Sequence, residues 1–215
     1  MTAVLVVGSI ILFLGLDYLA RRKKSVIGAS AVLLSTPVRP VQPAQNSRVP
    51  AFAFFHPGHT WLSLLDNGTV RVGIDAFAVE ALGRGQQLEL PEVPVQVKAG
   101  QRIFGLKVGD RMAHFVAPID GEIVEINRNA SPAKLPGAWL VKMKPRRLGG
   151  QLKNLRVAEA AEDWLQREKS RFKDFLATLG AEPVVALQDG GEPVAGILAK
   201  ADDEAWTKFQ QEFLK

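Results

Sequence analysis

AGQRIFGLKVGDRMAHFVAPIDGEIVEIN, residues Ala99–Asn127, is the stretch whose reading decides the fold. Ile103, Phe104, Leu106 and Val108 lead into Val108-Gly109-Asp110-Arg111, and Met112, Phe115 and Val116 lead out. Glycine tolerates positive φ and aspartate bonds its own backbone, so Gly109-Asp110 predicts a tight turn between two strands. Pro118 and Asp120-Gly121 mark a second corner. Glu122-Ile123-Val124-Glu125-Ile126 then alternates with the period of a third strand.

Turn and strand signals continue on either side. Asp66-Asn67-Gly68 predicts a hairpin turn before a strand over Thr69–Ile74. Asp75 suits the N-cap, and Gly83 the stop, of a short helix carrying Phe77, Ala81 and Leu82 toward the core. Leu88–Leu90 reads as a strand ended by Pro91, and Val95 and Val97 lead back to the hairpin. Trp139–Met143 supplies a further strand.

These elements together resemble the glycine cleavage system H-protein, a member of the biotinyl/lipoyl carrier superfamily. The resemblance rests on His59-Thr60-Trp61, Gly68–Ile74, Phe77-Ala78, Leu88–Val93, Lys98-Ala99-Gly100, the hairpin, and Trp139–Pro145, all in family order. It implies a mainly β fold, a flattened β-barrel or sandwich of the barrel-sandwich hybrid type, over 51–146. It also implies that a lysine at the hairpin tip carries a lipoyl arm. Eight residues before the Pro of the Ala-Pro-x-x-Gly corner is the modified position, which here is Asp110. A carboxylate cannot form the lipoyl amide, and Gly109 and Arg111 offer no suitable amine. Lys107, the nearest lysine, falls on the incoming strand. The expectation is a degenerate carrier with no cofactor. The alternatives are an unusual carrier, using Lys107 or noncovalent lipoate, and a mimic that regulates a lipoate-handling enzyme.

Ahead of the domain, Ala3–Leu16 is free of charge and Arg21-Arg22-Lys23-Lys24 follows it. As a helix, residues 1–20 would span about 30 Å, enough for a bilayer core. Residues 1–24 therefore read as a transmembrane anchor with a basic cytoplasmic flank. A cleaved signal peptide would carry its positive charge before the apolar run. This ordering predicts a single-pass protein of the inner membrane with its domain on the cytoplasmic side. Pro37, Pro40, Pro43 and Pro50 mark 25–50 as an extended linker.

Residues 147–215 read as a helical extension. Leu152–Leu179 has an apolar stripe through Leu155, Ala158, Ala161, Leu165, Phe172, Phe175, Leu176 and Leu179, with Glu168 and Lys169 on the solvated side. That stripe suits packing on its own domain or on a partner equally. Pro183–Ile197 reads as a hairpin whose second strand is Val194–Leu198. Asp203 and Glu204 open a last helix with Trp206, Phe209 and Phe213 on one face. That helix resembles the family's terminal helix, which would make Gly149–Lys200 an insertion.

The net charge of +5 and pI of about 9.6 admit nucleic acid or anionic lipid as partners. No helix-turn-helix, zinc-finger or RNA-binding aromatic signature is present, so nucleic acid is not expected. Absence of Cys excludes disulfides and thiolate chemistry. His56 and His59 read as packed or hydrogen-bonded beside Trp61 rather than as a metal pair. No nucleotide loop or nucleophile elbow occurs, and Glu122 and Glu125 point to opposite faces of a strand. The expectation is a non-catalytic scaffold subunit of a membrane-associated complex, with lipid bilayer and other protein subunits as partners.

Overall fold

The computed structural model describes residues 49–179 and 194–215. The proposed transmembrane segment, Arg21–Lys24, most of the linker and the first strand of the Pro183–Ile197 hairpin lie outside the described residues. Among the described residues no helix is long and apolar enough to cross a membrane.

Among the described residues ten strands form two antiparallel sheets. They are β1 (Phe54–Phe55), β2 (Thr60–Leu64), β3 (Val70–Ile74), β4 (Gln87–Glu89), β5 (Val95–Val97), β6 (Arg102–Val108), β7 (Arg111–Val116), β8 (Gly121–Ile126), β9 (Trp139–Pro145) and β10 (Arg156–Val157). The seven-stranded sheet has the order β10-β1-β2-β3-β9-β8-β5, and the three-stranded sheet β4-β6-β7. Alternation dictates the faces: Val70, Val72 and Ile74 are buried, whereas Arg71 between them is exposed. From the other sheet, Phe104, Leu106 and Phe115 meet them in one core with Leu62, Leu140, Val141 and Met143. The mainly β sandwich expected from the sequence is what forms.

Turn chemistry acts as read. Asn67 Oδ1 accepts from the Thr69 backbone N–H at 3.1 Å, organising the β2–β3 turn. The helix α1 (Ala76–Leu82) starts where Asp75 Oδ1 accepts from the Ala78 N–H at 2.9 Å, and Gly83 ends it. Trp61 is almost fully buried between strands, and its indole N–H donates to the Ile74 carbonyl at 2.8 Å and that of Pro136 at 3.1 Å.

The C-terminal extension departs from expectation in two ways, and a question left open there is answered by the packing of α2. The long helix, α2, runs Glu159–Thr178 and not from Leu152. Upstream of it lie a helical turn (Leu148–Gln151), a 3-10 turn (Leu152–Asn154) and β10, which pairs with β1 through Phe54↔Val157 and Phe55↔Arg156. Edge pairing on β1 wins over helix propensity there. Ala158, at φ 51°, makes no side-chain cap, so no start signal marks the boundary. Val194–Leu198 is not a strand: Ile197–Lys200 is a 3-10 turn, placed as Gly196 N–H donates to the Glu80 carbonyl at 2.7 Å. Of the two packings open to it, α2 takes the one on its own unit. Ala161, Trp164, Phe172, Phe175 and Leu176 are buried. They meet α3 (Asp203–Phe213), whose Trp206, Phe209 and Phe213 are also buried. Phe172 lies 5.7 Å from Phe209 and 5.5 Å from Phe77 of α1, both edge-on.

The Trp61 ring leaves no room over β3. A Cβ at Gly73 would meet the ring at 2.5 Å and the Ala138 carbonyl oxygen at 2.8 Å. Gly73→Ala is therefore expected to destabilise the domain by about 1–3 kcal/mol, read as a lowered urea midpoint for the full chain with an unchanged slope.

Candidate functional site: the hairpin tip and a buried imidazole

Strands β6 and β7 pair through Gly105↔His114, Leu106↔Ala113, Lys107↔Met112 and Val108↔Arg111, which leaves Gly109 and Asp110 as a two-residue loop. Gly109 has φ 62° and Asp110 is not among the positive-φ residues. Positive φ at the first central position alone is the pattern of a type II′ turn, whose twist matches the strands it joins. Both tip residues are exposed. Asp110 thus stands at the apex, as the sequence places it. Lys107 is half-buried inside the sheet, between Gln87 of β4 and Met112 of β7.

The flank of the tip is tied down. Arg111 Nε donates to Asp203 Oδ1 at 3.0 Å, and its guanidinium lies over Trp206, 5.5 Å from the ring centre. Three residues along, Gln210 Oε1 accepts from the His114 backbone N–H at 3.1 Å. Helix α3 therefore runs along the free edge of β7. Sequence reading assigned Trp206 to an apolar stripe, but nothing in the spacing linked that stripe to Arg111.

Beside the base of the hairpin, where Thr60 Oγ1 donates to the Val116 carbonyl at 3.2 Å, lies a group the sequence did not expose as a unit. His59 is fully buried at φ 58°. Its imidazole is stacked between Phe77, at 4.2 Å, and Trp164, at 5.1 Å. Nδ1 is 2.8 Å from Asp75 Oδ2, and Nε2 faces Glu168 Oε2 at 3.7 Å, an ion-pair separation rather than a hydrogen bond. Glu168 in turn accepts from Arg171 Nη1 at 2.9 Å, and that guanidinium caps the Phe213 ring at 4.1 Å. The expectation that Glu168 lies on the solvated side is corrected: the residue is buried because the α2 face that carries it closes over His59.

Burial alone would push the His59 pKa down, but Asp75 and then Glu168 outweigh it, so the net direction is upward. Desolvation raises Glu168, yet His59 and Arg171 hold it below the usual carboxylate value. His56 goes the other way. Burial, then Arg156 and His59, lower it to about 4, and its Nδ1 accepts from the Gly58 N–H at 2.9 Å, as a neutral ring does.

The family model for the glycine cleavage H-protein matches residues 54–168. The chain belongs to the glycine cleavage H-protein family. A probable glycine cleavage system H protein of Pyrococcus abyssi is 35% identical over 119 residues, covering 53% of this chain and 89% of that protein. The glycine cleavage system H protein of Aromatoleum aromaticum is 33% identical over 109 residues, covering 48% and 85%. A crystal structure of the H protein from Mycobacterium marinum aligns at 30% identity over 56% of this chain and 99% of that one, with a TM-score of 0.45. The H-protein match continues past Gly149 into α2 and stops at Glu168. The expectation that Gly149–Lys200 is an insertion, with α3 as the family's terminal helix, is therefore corrected. The first half of α2 belongs to the matched region, and α3 follows it.

A raised His59 pKa adds stability that is complete below 6.5, its ordinary value, and is lost as pH rises through the folded-state value. The lowered His56 value costs stability as pH falls from 6.5 toward about 4. Denaturant titrations across pH should show His59→Gln removing the alkaline-side loss and His56→Gln the acid-side loss. Glu168→Gln, which leaves a buried charge short of a partner, is expected to cost about 3–5 kcal/mol and to speed amide exchange throughout 159–178.

Proposed function

We propose that this H-protein family member is a non-catalytic, membrane-anchored scaffold or accessory subunit of a larger complex, and not a lipoyl carrier. The observation that carries the reading is Asp110 at the apex of the β6–β7 hairpin. An amide-linked arm needs an exposed primary amine at the apex, and Gly109-Asp110 supplies none. Lys107 is two positions from the loop and half-buried, which gives a modifying enzyme poor access. The membrane half of the reading is supported by Ala3–Leu16, an uncharged run followed by Asp17-Tyr18-Leu19-Ala20 and then the basic cluster Arg21–Lys24. With the domain on the cytoplasmic side of the inner membrane, the anchor would raise its local concentration at the bilayer, and the Pro-rich linker would set its reach.

Two other readings follow from the relatives, which are named glycine cleavage system H proteins. One is a carrier modified at Lys107 or holding lipoate noncovalently. The other is a mimic that occupies a lipoate-handling enzyme. Neither explains the apolar, basic-flanked N-terminus.

Intact mass of the full chain purified from its own cell is expected to show no lipoyl addition, and Asp110→Lys is expected to gain one. A lipoyl adduct on the unaltered chain would overturn the scaffold reading. Detergent pull-down is expected to recover integral membrane subunits; recovery of soluble lipoate enzymes alone would favour the mimic.

A further inference from the structure

The charge of the domain is distributed unevenly along the hairpin. At the tip end stand Asp110 and Asp203, the latter 94% exposed and already matched to Arg111. At the base, β6 steps away by about 3.4 Å per residue, so Arg102 lies about 20 Å from Val108. There the chain gathers Lys98, Lys144, Arg146, Arg147 and Lys153, all exposed. Among the described residues none of these five has a carboxylate within 4 Å.

Backbone bonds hold this corner together. The Arg146 N–H donates to the Asp120 carbonyl at 3.1 Å, and the Ala99 N–H donates to Asp120 Oδ1 at 2.8 Å. Gln151 Oε1 accepts from the Asp120 N–H, which fastens the helical turn 148–151 and its basic flank to the same place. Between Lys98 and Arg146 a cavity of about 220 Å³ opens, lined also by Gln96, Gln101 and Asp120. The Asp120 carboxylate is turned to structural use by Ala99. Glu122, the nearest other acid in register, lies opposite Lys144 and leaves the remaining cations uncompensated.

We propose that this basic corner is a docking surface for an anionic lipid bilayer, with the cavity between Lys98 and Arg146 receiving a headgroup phosphate. Clustered cations at a membrane surface are attracted by its negative potential, and guanidinium and ammonium groups with amide donors suit a phosphate. Nucleic acid also carries phosphate, but no aromatic ring lines the cavity on which a base could stack. Docked in this way, the domain would face the bilayer with its base and hold the hairpin tip away from it. The choice of bilayer as partner rests on the anchored reading above.

The test uses the full chain with neutral phosphatidylcholine vesicles and with vesicles containing phosphatidylglycerol. Flotation with the neutral vesicles reports the anchor independently of the patch. The patch is read by amide exchange at Ala99, Gly100, Asp120 and Arg146. Exchange is expected to slow on the anionic vesicles only, to recover at high salt, and to lose about fivefold of that protection for each of Lys98→Gln and Arg146→Gln. Unchanged exchange around His59 verifies that the variants are folded. Equal exchange on both vesicle types overturns the proposal even if the protein floats. So does equal protection by inorganic phosphate alone, which would make the site a free-phosphate site, or stronger protection by single-stranded DNA. If the chain fails to float on neutral vesicles but shows salt-sensitive protection on anionic ones, the anchor falls and the patch stands.

Discussion

A buried imidazole needs its charge answered from within the protein. His59 sits fully buried in a slot between Phe77 and Trp164, and removing an ion from water costs several kcal/mol. Asp75 answers one side and Glu168 the other. Asp75 does so while capping α1 with its second oxygen, so one carboxylate fixes both the start of that helix and the ring. Glu168 comes from α2, far along the chain. The long helix can therefore close on the sandwich only in the register that brings Glu168 over Nε2. That constraint explains why Trp164 and Phe172 are buried, since they flank Glu168 one helical turn away on either side.

The same logic bears on the hairpin. Its geometry is that of a projecting β-turn, with glycine in the one position that demands positive φ. The residue at its apex is Asp110. Fold and attachment are separable because the turn is specified by backbone conformation, whereas attachment needs a particular nucleophile. An aspartate at the second position satisfies the turn as well as a lysine would, so exchanging one for the other leaves the strands in register.

Most of the sandwich was legible in the sequence because its signals are local. Asn67-Gly68, Gly109-Asp110 and the alternation in Val70–Ile74 each act through neighbouring residues. The extension was less legible. Leu155 and Ala158 fall at helical spacing with Ala161, yet the segment pairs as a strand with Phe54-Phe55, a partner about a hundred positions away. Glu168 looked solvated because charge on a helix face is usually solvated, and only the distant imidazole makes burial tolerable. In the sequence alone, His59 is a packed or hydrogen-bonded ring beside Trp61. Its acidic partners were invisible because three residues at positions 59, 75 and 168 share no spacing rule. The apex position of Asp110, in contrast, followed from counting along one hairpin.

What lies beyond the family match then acquires a definite role. Phe172, Phe175, Phe209 and Phe213 all follow Glu168, and they form one cluster with Phe77 from the matched region. The cluster seats α3 against β7, the outer strand of the three-stranded sheet. An outer strand exposes unpaired backbone groups that invite another chain. Here Gln210 accepts from the His114 N–H, while Arg111 is held by Asp203 and Trp206. A hairpin braced along its edge is suited to a fixed contact surface. A surface of that kind gains from rigidity, because less conformational entropy is lost when a partner binds. On the proposed reading, α3 and the acid at the apex would both serve a stationary contact rather than a swinging arm.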